Sequence, residues 1–87
     1  MQIIWKREAW QDYLYWQVTD RKKLKKINKL IQSIEREGYQ CIGKPEPLKE
    51  NKSGYWSVRI DRTNRIVFYI KDQSIIIIEC RSHYGDK

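Results

Sequence analysis

Apolar residues change their spacing twice along the chain. Gln2 to Trp5 is a short apolar run of strand character, after which Ala9, Trp10, Tyr13, Leu14 and Trp16 recur at helical spacing. Leu24, Ile27, Leu30, Ile31 and Ile34 form a second helical stripe. Thr19 or Asp20 is placed to cap that helix, its period runs to about Glu37, and Gly38 suits the left-handed position that closes it. The two helices make a hairpin. From Gly38 to Gly54 there is no period, and Gly43, Pro45, Pro47, Asn51, Ser53 and Gly54 mark a loop that is long for so small a chain. Three strand-like runs follow, Tyr55 to Asp61, Arg65 to Lys71 and Ser74 to Arg81, with turns too short for anything but an antiparallel meander. The expected fold is α+β, a single domain over residues 1–87: an N-terminal strand, a helical hairpin and a three-strand meander, with the helices on one sheet face.

Strand parity sorts the side chains. Trp56, Val58 and Ile60 alternate with Tyr55, Ser57, Arg59 and Asp61, and Ile66, Phe68 and Ile70 alternate with Arg65, Val67 and Tyr69. If the apolar sets face the helices, Arg59 and Arg65 share the outer face. Unbroken alternation in the last strand puts Ile76, Ile78 and Cys80 inward, and Glu79, Arg81 and the single histidine, His83, outward.

Composition narrows the class. In 87 residues, 40% are hydrophobic and 33% charged, too apolar for a disordered chain. The longest apolar run is Ile75 to Ile78, far short of the ~20 residues needed to span a bilayer, and no signal-peptide pattern opens the chain. A soluble, cytoplasmic protein without a membrane partner is expected. Cys41 and Cys80, with one histidine, supply too few ligands for a zinc site or a disulfide framework, so reduced, partly buried thiols are expected and no metal. The net charge of +7 is concentrated: Arg21, Lys22, Lys23, Lys25, Lys26 and Lys29 lie within nine residues free of acids. All but Lys23, at the edge, fall opposite the apolar stripe, which needs the core. Such runs are commonly solvated faces, but this density of like charge suits a polyanion. Nucleic acid is the first choice of partner, an acidic protein the second and an anionic membrane surface the last.

The candidate chemistry starts at Lys44-Pro45-Glu46-Pro47-Leu48-Lys49. Pro47 restricts Glu46 to extended angles and Pro45 fixes its own φ, so the carboxylate leaves a stiff segment. By itself this is also what an ordinary turn looks like, as a lone His83 is also what a surface residue looks like. Together the residues suit ribonuclease chemistry without metal or cofactor. That reaction needs a base for the ribose 2'-hydroxyl, a cation for the pentavalent phosphorane, an acid for the leaving 5'-oxygen, and aromatics to stack bases. Glu46, Arg59 or Arg65, His83 and Tyr84 fill these roles. Lys44, Lys49, Arg59 and Arg81, with Lys22, Lys25, Lys26 and Lys29 on the helix, are candidate RNA contacts.

The order of these residues resembles the YoeB/Txe toxins, a branch of the RelE/ParE superfamily. The likeness runs over essentially the whole chain. It is carried by Ile4-Trp5, Trp10-Gln11-Asp12-Tyr13-Leu14-Tyr15-Trp16, Lys25-Lys26-Ile27-Asn28-Lys29-Leu30-Ile31, Gly43-Lys44-Pro45-Glu46-Pro47-Leu48-Lys49, Ser53-Gly54-Tyr55-Trp56-Ser57, Arg59-Ile60, Asn64-Arg65-Ile66-Val67 and Cys80-Arg81-Ser82-His83-Tyr84. The resemblance implies the toxin of a type II toxin-antitoxin pair, a ribosome-dependent endoribonuclease that cuts mRNA in the A site and inhibits translation. It implies Glu46 as general base, His83 as general acid, Arg65 on the phosphate and Tyr84 positioning the scissile nucleotides. The implied partners are an acidic, YefM-like antitoxin, the ribosome with its mRNA, operator DNA only through the antitoxin complex, and a second copy of the chain.

Val58 stands where such toxins often have Arg, Asn64 precedes Arg65 where His is frequent, and Gly85-Asp86-Lys87 extends past the His-Tyr pair. Two other readings compete: a non-catalytic RNA-binding module that blocks translation on the same fold, and a gyrase-directed toxin of the ParE type. Glu46 together with His83-Tyr84 argues against the latter.

Overall fold

Periodicity and capping place the helices and strands of the computed structural model, which describes residues 1–82; the expectations for His83, Tyr84 and Gly85-Asp86-Lys87 lie outside the described residues. Strand β1 (Gln2–Trp5) leads into helix α1 (Arg7–Thr19) and helix α2 (Arg21–Glu37). Asp20 caps α2: its carboxylate accepts from the Lys22 and Lys23 backbone N–H groups at 3.1 and 3.2 Å. Gly38 ends the helix at φ +61, where a side chain would be strained. After two 3-10 turns and a short strand come β3 (Trp56–Arg59), β4 (Arg65–Lys71) and β5 (Ser74–Glu79). The fold is α+β, with the helices on one face of the sheet.

Two features depart from the expected layout. The short strand β2 (Glu46–Pro47) lies inside the stretch expected to be loop, and pairs antiparallel with β3. Pro47 has no N–H to donate, so it is tolerated because β2 is an edge strand. The five strands run in the order β1-β5-β4-β3-β2, with β1 parallel to β5 and the other pairs antiparallel.

The second departure corrects the parity of β5. Val67 pairs with Glu79 but Phe68 with Ile77, a bulge that leaves Ile78 as the extra residue. Ile75 and Ile77 therefore face the helices, not Ile76 and Ile78, and beyond the bulge Cys80 is inward and Glu79 outward as expected. The helix-side core gathers Ile27, Leu30 and Ile34 of α2 against Val58, Ile66, Phe68, Ile75 and Ile77. Each such side chain contributes about 1.5–3 kcal/mol by leaving water. In α1 the buried positions are Ala9, Asp12 and Trp16, whereas Trp10 and Leu14 from the expected stripe are 45% and 42% exposed. Both thiols are free and buried. Among the described residues no helix is long and apolar enough to cross a membrane.

Candidate active site

The outer face of the sheet carries the site, and the strand register sets its geometry. Glu46 lies opposite Ser57, Ser57 opposite Val67, and Val67 opposite Glu79, so one row crosses four strands. One pleat further along, Arg59 lies directly opposite Arg65. With strands ~4.8 Å apart and ~6.7 Å between same-face residues, the backbones of Glu46 and Arg65 are roughly 12 Å apart, and their side chains reach into the space between. Glu46, Ser57, Arg59, Arg65 and Glu79 all line one cleft of about 960 Å³, closed on one side by Glu8, Gln11 and Asp12 of α1.

Like charges directly opposite on neighbouring strands destabilise a sheet. Neither Arg59 nor Arg65 forms an ion pair among the described residues that would offset this. Two guanidinium forks on one floor instead match the oxygens of a phosphate.

The β3–β4 connection forms a second wall, with Asp61, Arg62, Thr63 and Asn64 all lining the cleft. Asp61 organises this turn. Its Oδ1 accepts from the backbone N–H groups of Thr63 at 2.8 Å and Asn64 at 2.6 Å, and its Oδ2 meets Lys23 Nζ of α2 at 2.9 Å. Burial opposes ionisation of Asp61, but the hydrogen bonds from Lys23, Asn64 and Thr63 outweigh it and hold the carboxyl well below the usual carboxylate range.

The chain approaching His83 is fixed from three sides. Trp16 Nε1 donates to the Cys80 carbonyl at 2.8 Å, the Cys80 N–H donates to Asp12 Oδ2 at 3.1 Å, and the Ser82 N–H donates to Asn64 Oδ1 at 3.0 Å. Cys80 itself is unsuited to nucleophilic work. Burial, with the nearby carboxylates of Asp12 and Glu79, pushes its thiol far up, so it stays protonated. Burial likewise raises Cys41.

The remaining candidates spread out. Lys44 lies outside the cleft in an adjoining groove with Lys26, Arg59 and Arg62, which joins the cationic helix to the cleft. Lys22, Lys25, Lys26 and Lys29 are exposed along α2, and Lys49 is exposed ahead of a 3-10 turn and does not line the cleft. Arg81 stacks its guanidinium over the Tyr15 ring, 3.7 Å from the centroid, away from the cleft floor. The general acid and positioning roles expected of His83 and Tyr84 fall outside the described residues. Asp12, Lys52, Asp61 and Glu79 line the cleft without having been singled out. For Asp12 a signal was present, since an acid three residues after Ala9 and four before Trp16 sits on the buried stripe.

A helical hairpin on one face of a mixed five-stranded sheet, with Glu46, Arg59 and Arg65 lining a cleft, defines a small α+β protein with paired arginines in its principal cleft. Residues 5–84 match the family model described as the YoeB-like toxin of bacterial type II toxin-antitoxin systems. Toxin YoeB of Escherichia coli (strain K12) is 51% identical over 84 residues, 97% of this chain and 100% of that protein. Two solved structures from Staphylococcus aureus each cover 97% of this chain and 98% of theirs. One is a YoeB-YefM complex at 44% identity and TM-score 0.91, the other a YoeB dimer at 45% and 0.89. The chain belongs to the YoeB-like toxin family.

Proposed function

We propose that this chain is a ribosome-dependent endoribonuclease that cuts mRNA in the A site by attack of the ribose 2'-hydroxyl, and that an antitoxin holds it inactive. The observation that carries the reading is the Arg59–Arg65 couple, without an ion pair among the described residues, on the floor of the cleft that Glu46 also lines. In this mechanism Glu46 takes the 2'-hydroxyl proton as the 2'-oxygen attacks phosphorus. Arg65 supplies two parallel hydrogen bonds to the charge developing on the phosphorane, a stabilisation strongest in the transition state. His83 gives a proton to the 5'-oxygen as the P–O bond breaks, and Tyr84 holds the adjacent nucleotide. The products are a 2',3'-cyclic phosphate and a 5'-hydroxyl.

Lys22, Lys25, Lys26 and Lys29 dock on ribosomal RNA, and the groove holding Lys26, Lys44 and Arg59 continues that positive surface to the cleft. Lys49 and Arg81 add cations at its margins. The S. aureus YoeB-YefM complex supports a YefM-like antitoxin as partner, the net charge of +7 suits an acidic one, and the S. aureus YoeB dimer supports a homodimer. Operator DNA would be reached only through the antitoxin complex.

Mapping RNA ends on translated mRNA tests the reading. New ends within the A-site codon are expected with the chain as it stands, and their loss with His83→Gln. Ribosome binding that leaves the mRNA intact would replace the nuclease with a translation-blocking RNA-binding module.

A further inference from the structure

Beside its charged rows the outer face of the sheet carries an uncharged one. The β3–β4 ladder pairs Trp56 with Phe68, so Tyr55, one residue before Trp56, faces Tyr69, one residue after Phe68. Their rings stack with 5.4 Å between centroids and 9° between planes. On one side the Leu48 N–H donates to the Tyr55 carbonyl at 2.8 Å, which continues the β2–β3 pairing by a residue; on the other, Tyr69 pairs with Ile76. Leu48, Tyr55, Tyr69 and Ile76 thus form a row across four strands, on the face that also carries Glu46, Ser57, Arg59 and Arg65. Both tyrosines are half-buried, so part of each ring stays open to solvent. Successive rows on one face lie ~6.7 Å apart. Arg59 and Arg65 hold the first row, Glu46 and Glu79 the second and the tyrosines the third. Lys52 Nζ reaches Glu79 Oε1 at 3.9 Å, and both residues line the cleft.

We propose that Tyr55 and Tyr69 form a stacking subsite for the base of the nucleotide on the 5' side of the cleaved bond. The assignment deepens the nuclease reading and rests on it. With the scissile phosphate on the arginine row and the attacking 2'-hydroxyl at Glu46, the ribose that carries this hydroxyl sits at the second row and its base extends over the third. Two parallel rings offer that base a third layer, and such stacking accepts any base, since each has a π-face. Charge selects a base over a further phosphate. The carboxylates of Glu46 and Glu79 repel phosphate oxygens, whereas they accept hydrogen bonds from base amino groups. A cross-strand aromatic pair stabilises a sheet wherever it falls. Its place one row from Glu46 is what assigns this pair a ligand.

The experiment measures single-turnover cleavage on ribosomes programmed with either an unmodified message or one lacking only the base on the 5' side of the cleaved bond. Three chains are compared: unaltered, Tyr55→Phe with Tyr69→Phe, and Tyr55→Leu with Tyr69→Leu. Removing the base should slow the unaltered chain about 5- to 150-fold, the range that loss of one stacked base covers. The phenylalanine chain keeps both ring faces and should show the same penalty. In the leucine chain, whose side chains still cover the sheet, the penalty should vanish; Tyr69→Leu alone serves if the double substitution does not fold. An equal penalty in a folded leucine chain overturns the proposal, as does a rate in the unaltered chain that ignores the missing base.

Binding without the ribosome separates the subsite from the nuclease reading. A trinucleotide with a 2'-deoxy centre and its abasic counterpart are titrated into the chain while the ring-proton NMR shifts of Tyr55 and Tyr69 are followed. Should the unaltered chain cut no mRNA, the nuclease reading falls, while ring shifts caused by the intact trinucleotide and not by the abasic one still support the subsite. Identical spectra with the two overturn it.

Discussion

Substituting alanine at Gly43 should destabilise the fold through one steric contact whose size is readable from the structure. Gly43 has φ +94, and a Cβ there would lie 2.7 Å from Leu30 Cδ2 and 3.1 Å from Val58 Cβ. Both neighbours are fully buried, so neither has solvent to swing into. Forcing a methyl into such packing costs about 1–3 kcal/mol, and the positive φ adds about 1–2 kcal/mol. The sum, about 2–5 kcal/mol, is a large share of the about 5–15 kcal/mol that holds a domain of this kind together. At about 4–8 °C per kcal/mol for a chain of this size, a mid-range loss of about 3.5 kcal/mol lowers the melting temperature by roughly 14–28 °C.

Gly54 supplies the control. Its φ is +95, but a Cβ there meets nothing within 4 Å. Gly54→Ala should therefore lose only the backbone contribution, about 1–2 kcal/mol. Urea unfolding of both variants separates packing from strain. Equal losses for the two would refute the contact at Gly43. Because the Gly43 carbonyl accepts the Arg59 N–H at 2.8 Å, cleavage by the folded fraction of Gly43→Ala should also drop, whereas Gly54→Ala should leave it intact.

Other outcomes follow from the same geometry. Arg65→Lys should cleave nearly as poorly as Arg65→Ala, since an ammonium keeps the charge but loses the fork; full activity in the lysine variant would mean that a point charge suffices. Replacing Lys22, Lys25, Lys26 and Lys29 with Gln leaves the core stripe intact and should weaken ribosome binding and flatten its salt dependence, and unchanged low-salt affinity would reduce the run to a solvated face. Asp61 is held below the ordinary aspartate value of about 3.9, so its stabilisation is present above that pH and lost as pH falls below it. The stability gap between the unaltered chain and Asp61→Asn, followed by denaturation from about pH 5 downward, should close with acid; a gap independent of pH would contradict the assigned hydrogen bonds.

Local pattern carried most of the architecture, because one-face burial imposes a period on each helix and strand. It failed where a tertiary contact decided. The bulge between Val67 and Phe68 reverses parity within β5, and a run of four isoleucines offers no polar residue to mark the shift. Strand β2 was hidden because two prolines flank or occupy it and its pairing with Trp56 and Ser57 is non-local. At the site, Glu46 and the Arg59–Arg65 couple were legible from motif and alternation. The Asp61–Asn64 turn was not: Asn64 drew notice only as a departure from related toxins, and its grip on Ser82 depends on a contact eighteen residues away. The buried Asp12 shows the general case, since a charge on an apolar stripe signals a partner without naming it.

The central claim is that the 2'-hydroxyl of the RNA is itself the nucleophile, and it is tested by removing that atom. Ribosomes are programmed with an mRNA carrying a single 2'-deoxy nucleotide on the 5' side of the cleaved bond in the A-site codon, and mixed with the purified chain. The account predicts that this bond stays intact while the all-ribose message is cut to a 2',3'-cyclic phosphate end, with ribosome binding equal for both. Cutting at the deoxy position would contradict it, because no neighbouring hydroxyl is left there for Glu46 to activate.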